Sequence, residues 1–386
     1  MKIIYIAPAF HPNQHPIVKG WVEEGHQVDF ICQYKINIES HAYCTPYVLG
    51  YAGLFRFCNV IYKRLYNVGR QQSAYPEAFQ DKCGFPPIGN LSRFLKKRKP
   101  DIVILRERSV YSIVSYLVCR MQKIPCILYN QTPLWDNEPP RNDLAHRLVK
   151  ALTPNVRMTP VYGDPVTGYL DKHAVYIPFV IDPQRSPDER QPFPSGQIRL
   201  LCVGKFEKRK HQLMLLMLLA RLLPEYPLHL TLVGEATTAY HKQYLKKVQN
   251  FIKEHHLEEQ VSIHVNRKPE EMAAFYRDAD LFILPSTGEF ASVSQLEAMS
   301  YSLPVIVSDT NGTSCYVEEG KNGYLFRDKD SEDLEKKLRL LLSDKDALLR
   351  MGECSYRLVM EKYSFLRYRK QIETLLARMS TSKKER

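Results

Sequence analysis

Short apolar runs recur along this chain and alternate with longer segments whose apolar positions fall at helical spacing. In the first half the runs cover 2–8, 27–32, 101–105, 125–129, 157–161 and 174–177, with helical patterns over 17–24 and 110–122. In the second half they cover 198–203, 228–233, 261–265, 281–284 and 305–307, with an apolar helix over 212–223. Short runs rich in Val, Ile and Leu, bounded by Gly, Pro and polar residues, read as strands buried on both faces. Their alternation with helices predicts parallel, doubly wound sheets. The pattern halts and restarts at 182–196, where four prolines fall in a polar stretch, the composition of a linker. The expected fold class is therefore α/β, with two Rossmann-like domains in series. The first domain is expected over 1–182, a linker over 183–196, the second domain over 197–364, and a last helix over 365–386. Residues 35–90 fit the alternation poorly and are rich in Tyr, Phe, Asn and Pro. We read about 35–98 as an insertion or helical arm.

Length and composition narrow the class. A chain of 386 residues is long enough for two ordinary domains. Its 44% hydrophobic and 25% charged content is that of a soluble globular protein. The longest apolar run, 213–223, is broken by Arg221 and reads as core rather than a membrane span. Residues 1–8 read as a strand, too short and too β-branched for a signal peptide. Nine cysteines without a Cys-x-x-Cys pair, several in apolar strands, point to reduced thiols, a cytoplasmic setting and no zinc. Charge is uneven. Residues 50–108 hold twelve Lys or Arg against four acids, including Lys96, Lys97, Arg98 and Lys99 in succession, and are interleaved with aromatics. Such a stretch suits an anionic surface or simply a solvated face. No nucleic-acid motif accompanies it, so an anionic membrane surface or an anionic lipid-linked acceptor is the expected partner and nucleic acid is not.

The candidate chemistry lies in two blocks. Glu289 and Glu297 are eight positions apart in a segment that reads as a buried strand, a turn of Pro285, Ser286, Thr287 and Gly288, and a helix beginning near Ala291 or Ser292. This is the carboxyl end of a strand, where ligands bind in parallel sheets. The first-turn amides at Ala291, Ser292 and Val293 favour an anion there. In the second block a strand ends at Gly204 and is followed by Lys205, Lys208, Arg209, Lys210 and His211. Glycine lets backbone approach a ligand closely, and lysines neutralise a diphosphate. Taken alone, the same residues also read as a solvated turn.

The first block resembles the signature of the retaining glycosyltransferases of family 4. That signature is a Glu-x7-Glu pair preceded by Pro-Ser and followed by Glu-Ala-Met and Pro-Val-Ile. Here Pro285 and Ser286, Glu289, then Glu297, Ala298 and Met299, then Pro304, Val305 and Ile306 stand in that order. The resemblance is firm over 198–328 and rests on strand pattern before that. It implies a GT-B fold, two Rossmann-like domains facing across a cleft, with the last helix crossing back to the first domain. It implies a nucleotide-sugar donor, a saccharide or lipid-linked acceptor, and a role in capsule, O-antigen or lipopolysaccharide synthesis at the inner face of the cell membrane. Lys205, where the family has Arg, and Lys210 would stabilise the departing diphosphate. Glu289 would hold the donor sugar and Glu297 the ribose. Gly204, Gly234 and Arg267 would border the nucleotide.

Other positions depart from the family. The loop after the first strand lacks paired glycines and offers His11, Asn13 and His15 to acceptor or sugar. Arg106 stands at one strand end and Asn130 and Gln131 at another, where histidines are frequent in the family. Phe290, Ser292 and Ser302 replace glycines. No Asp-x-Asp pair follows a strand, so no metal or cofactor is expected. Two alternatives stay open: a GT-B nucleotide-sugar-binding subunit without turnover, and a nucleotide-sugar epimerase.

Overall fold

The computed structural model describes residues 1–35, 42–53, 84–106, 109–139 and 144–384. They fold as two compact units, one of residues 1–180 with 368–386 and one of 181–367.

In the first unit, chain order gives β1 (Lys2–Ala7), α1 (His15–Glu23), β2 (Gln27–Cys32), β3 (Tyr47–Val48), α2 (Ile88–Arg98), β4 (Ile102–Arg106), α3 (Val110–Met121) and β5 (Cys126–Tyr129). There follow β6 (Trp135–Asp136), α4 (Leu144–Ala151), β7 (Arg157–Thr159), β8 (Tyr169–Leu170) and β9 (Ala174–Tyr176). Seven of these strands form a parallel sheet in the order β3-β2-β1-β4-β5-β7-β9, while β6 and β8 pair as a small antiparallel ribbon. The strands are aliphatic and buried: Ile4, Ile6, Val103, Leu105 and Leu128 pack with Leu91 and Leu95 of α2 and Tyr111 and Val118 of α3. Burying each such side chain contributes roughly 1.5–3 kcal/mol.

The second unit continues with β10 (Ile198–Val203), α5 (Gln212–Leu222), β11 (Leu228–Gly234), α6 (Ala239–Glu254), β12 (Val261–Val265), α7 (Met272–Asp278) and β13 (Leu281–Leu284). It ends with α8 (Val293–Ser300), β14 (Val305–Ser308), β15 (Gly323–Phe326), α9 (Ser331–Leu342), α10 (Lys345–Lys362) and the start of α11 (Phe365–Lys384), whose residues from 368 belong to the first unit. Its six strands are all parallel, in the order β12-β11-β10-β13-β14-β15. Counted within the unit this is 3-2-1-4-5-6, the dinucleotide-fold order, which reverses direction between β10 and β13. The leucines of α5, Leu215, Leu216, Leu218, Leu219 and Leu222, fill the core against Leu200, Cys202, Leu230 and Leu232.

Two expectations are corrected. The stretch 35–98 is not one arm: Tyr47 and Val48 add a strand beside β2, and α2 packs on α3 as an ordinary layer of the fold. Residues 36–41 and 54–83 lie outside the described residues. Residues 183–196 do not hang between units. They belong to the second, where Arg185 is buried and donates to the Tyr301 carbonyl at 2.7 Å, and Arg190 donates to the Asp280 carbonyl at 3.3 Å. The helix expected to begin near Ala291 or Ser292 begins at Val293, with Ser292 as its N-cap.

Candidate functional site

The site in the second unit forms where β10 and β13 diverge. The loop leaving β10 passes Gly204 and Lys205 and closes a 3-10 turn over Lys208–Lys210. The loop leaving β13 carries residues 285–292. Gly234, ending β11, is required by this crossing: a Cβ there would stand 2.0 Å from the Gly204 carbonyl oxygen. Gly204 in turn leaves room for the Lys210 stem, whose Cδ and Cε would lie 3.2 Å from any Cβ placed on it. Lys210 is buried, and its ammonium donates to Glu289 Oε2. Arg209 donates to the same oxygen at 2.7 Å and with its other nitrogen reaches Glu207 at 2.7 Å. Burial raises the Glu289 carboxyl, but the charges and hydrogen bonds of Lys210 and Arg209 outweigh it and hold its pKa below the ordinary glutamate value.

The Glu289 backbone is fixed as firmly as its side chain. Its carbonyl accepts from Gly312 N at 2.7 Å, and Gly312 lies so close that a Cβ would be 1.7 Å from the Phe290 oxygen. Phe290 itself is 80% exposed, beside the carboxylate and with its backbone pinned. The next residues lead into α8. Whereas Thr238 and Asp330 cap α6 and α9 with their side chains, Ser292 makes no capping bond and pairs its hydroxyl with Ser294 at 2.9 Å. The first-turn amides of α8, beginning with Val293, are thus not met by the cap side chain, and the helix dipole adds partial positive charge there.

Glu297 lies on α8 one turn further in. It accepts a hydrogen bond from the buried Tyr276 hydroxyl at 2.6 Å, and burial raises its pKa although that bond lowers it. Lys205 is not part of the cluster. It is half exposed and lies 3.7 Å from Glu235. Arg267, after β12, is paired with Glu271 at 3.1 Å and touches the His264 ring at 3.4 Å, on a separate strand end of the same sheet. Among the described residues no three His, Cys, Asp or Glu side chains gather in a metal-binding cluster.

In the first unit the carboxyl ends of β1, β4 and β5 surround a cavity lined by Tyr5, Asn13, Arg106, Tyr129 and Tyr368, among apolar neighbours. The Arg106 guanidinium lies over the Tyr129 ring at 5.2 Å and donates to Asn13 at 3.5 Å. Asn13 and Arg106 therefore meet. His15 instead packs its ring on Phe10, and the His11 amide donates to Gln14. Asn130 is buried and accepts from Arg157 at 2.8 Å, a bond that anchors the loop after β5. Gln131 is half buried beside it and does not line the cavity.

Residues 184–358 match the family of glycosyl transferases group 1. Within this group 1 region lie Gly204, Lys210, Glu289 and Glu297. A D-inositol 3-phosphate glycosyltransferase of Corynebacterium jeikeium is 31% identical over 154 residues, 39% of this chain and 36% of that protein. A sulfoquinovosyl transferase of Arabidopsis thaliana is 36% identical over 99 residues, 25% of this chain and 19% of that protein. The matched segments thus span well under half of these relatives. The structure of Anabaena HepE in complex with UDP-glucose is similar with a TM-score of 0.68 at 15% identity, over 98% of this chain and 99% of that one. The likeness runs through both units, and the fold is GT-B.

Two features of the group 1 region were not singled out as site residues by sequence reasoning. Arg209 was one cation among several in the turn, with nothing in its neighbours to say that it and not Lys205 meets Glu289. Tyr276 sits 21 residues before its partner Glu297, on the preceding helix, and only the tertiary fold brings them together.

Proposed function

We propose that the protein is a retaining glycosyltransferase that moves a sugar from a nucleotide-diphosphate donor to a saccharide or lipid-linked acceptor in surface-polysaccharide synthesis. The observation that carries this reading is the meeting of Lys210 and Arg209 on Glu289 at the reversal point of the second sheet. In this arrangement the carboxylate occupies the two cations. A diphosphate brings more charge than one carboxylate and competes for them, assisted by the α8 amides. Glu289, kept ionised, is then an acceptor for hydroxyls of the donor sugar. Glu297 accepts from the ribose, its orientation set by Tyr276.

The chemical step in this reading is loss of the diphosphate from the anomeric carbon and attack by an acceptor hydroxyl on the same face, the hydroxyl proton passing to the departing phosphate. The cations and amides lower the barrier by stabilising charge as it develops on the leaving oxygen. No metal is called for, since the protein itself supplies positive charge. A relative described as a glycosyltransferase and a structural neighbour holding UDP-glucose support the reading and make UDP sugars the first donors to assay.

The acceptor is proposed to be met at an anionic membrane on its cytoplasmic face. Lys96, Lys97 and Lys99 stand exposed at the end of α2, and among the described residues no helix is long and apolar enough to cross a membrane. Incubation with a panel of nucleotide sugars and analysis of released diphosphate tests the activity. Slow donor hydrolysis that acceptor accelerates supports a transferase, whereas tight binding with no turnover under any acceptor favours a binding subunit.

A further inference from the structure

His211 is the N-cap of α5 yet has a left-handed backbone, φ 51°, a conformation that costs a residue with a Cβ. Its side chain is held. Nε2 lies 2.6 Å from Thr287 Oγ1, and Thr287 Oγ1 donates to Asp328 Oδ1 at 2.7 Å. A carboxylate only accepts, so the threonine proton goes to Asp328, and the threonine lone pair accepts from Nε2–H. The proton of neutral His211 therefore sits on Nε2. Burial lowers the imidazole pKa, against the attraction of Asp328, and keeps the ring neutral. The Thr287 amide also donates to the Arg209 carbonyl at 2.8 Å, and the Asp328 amide to Asp309 Oδ1 at 3.0 Å. One hydroxyl thus laces the loops that follow β10, β13 and β15, and reaches the loop after β14 through Asp328.

We infer that Thr287, acting through His211 and Asp328, is a positioning residue that presets Lys210, Arg209 and Glu289 for a nucleoside diphosphate. This role rests on the transferase reading. The turn carrying the two cations and the loop carrying the carboxylate have no covalent link within 76 residues, and without lateral bonds each loop would be free to drift. A site held to productive geometry by bonds behind it loses affinity when they are cut, even though no ligand touches them.

The test is UDP binding by calorimetry with Thr287→Val, Thr287→Ser and His211→Gly. Glycine relieves the left-handed backbone, so His211→Gly separates site geometry from fold stability. The expected result is that Thr287→Val and His211→Gly weaken UDP at least fivefold, Thr287→Ser restores binding to within twofold of wild type, and the Tm of His211→Gly is not lowered. If wild type binds UDP and both variants bind within twofold of it, the positioning role is overturned alone. If wild type binds no nucleoside diphosphate, the transferase reading falls and this role with it.

Discussion

The Tyr276 hydroxyl donates to the Glu297 carboxylate across 2.6 Å, from one helix to the next in the second unit. Burial pushes the glutamate pKa up and this bond pulls it down. Tyr276→Phe removes the pull, so the carboxyl pKa rises further. Binding that needs ionised Glu297 then fades at a higher pH. We expect the acid limb of the UDP-affinity profile to move to higher pH and affinity at pH 7 to fall about 5- to 10-fold, the size of one lost hydrogen bond. Calorimetry across pH 5–8 checks this, and an unmoved limb refutes the assignment.

Glu289 behaves in the opposite sense. Its folded pKa lies below the ordinary value, so the unfolded chain binds more protons than the native one as pH falls. Its contribution to stability is present above the unfolded value of about 4.3 and lost as pH drops through the folded value. Glu289→Gln should therefore flatten the acid limb of a Tm-against-pH curve below about pH 4.3. It should also lower Tm at neutral pH by leaving Lys210 buried without its counter-charge, a cost of about 1–3 kcal/mol.

Gly312→Ala tests the backbone that carries Glu289. The new methyl would stand 1.7 Å from the Phe290 carbonyl oxygen, so the loop must move. Overpacking of this kind costs about 1–3 kcal/mol, and displacement of Glu289 should cut turnover at least tenfold. Thermal denaturation together with a donor-consumption assay reads both effects, and wild-type values for both would contradict the geometry.

How much of this was legible beforehand depended on the length of each signal. Strands such as Ile198–Val203 and Leu281–Leu284 declared themselves as apolar runs between polar turns. Two-residue β3 and the β6–β8 ribbon are too short to leave a pattern, and β15 opens on a glycine. Helix α2 was hidden because only Leu91 and Leu95 are buried, an i, i+4 pair outweighed by the basic run that ends it. At the site, Lys210 and Glu289 were legible through their blocks. Arg209, Tyr276 and the His211–Thr287–Asp328 chain were not, because hydrogen bonds between distant loops follow from how strands are ordered in the sheet, which no local window contains.

The basic end of α2 makes a separate prediction. Arg98 is paired with Asp29 at 3.0 Å and lies over the Phe94 ring, so it is part of the fold's own bonding. At this helix end Lys96, Lys97 and Lys99 are the cations left for a membrane. Replacing these three with Ser should weaken affinity for anionic vesicles, read by sedimentation, by about two orders of magnitude, at about 1 kcal/mol per lysine, without changing donor hydrolysis. Equal sedimentation would end the membrane proposal.

The most direct measurement is calorimetry of the protein with UDP, GDP, ADP, CMP and dTDP, repeated on Lys210→Ala and Lys205→Ala. The account predicts micromolar binding of one diphosphate, weakened at least tenfold by Lys210→Ala, and by less in Lys205→Ala, whose lysine stands outside the Glu289 cluster. Binding of none, or binding that Lys210→Ala leaves intact, would contradict it.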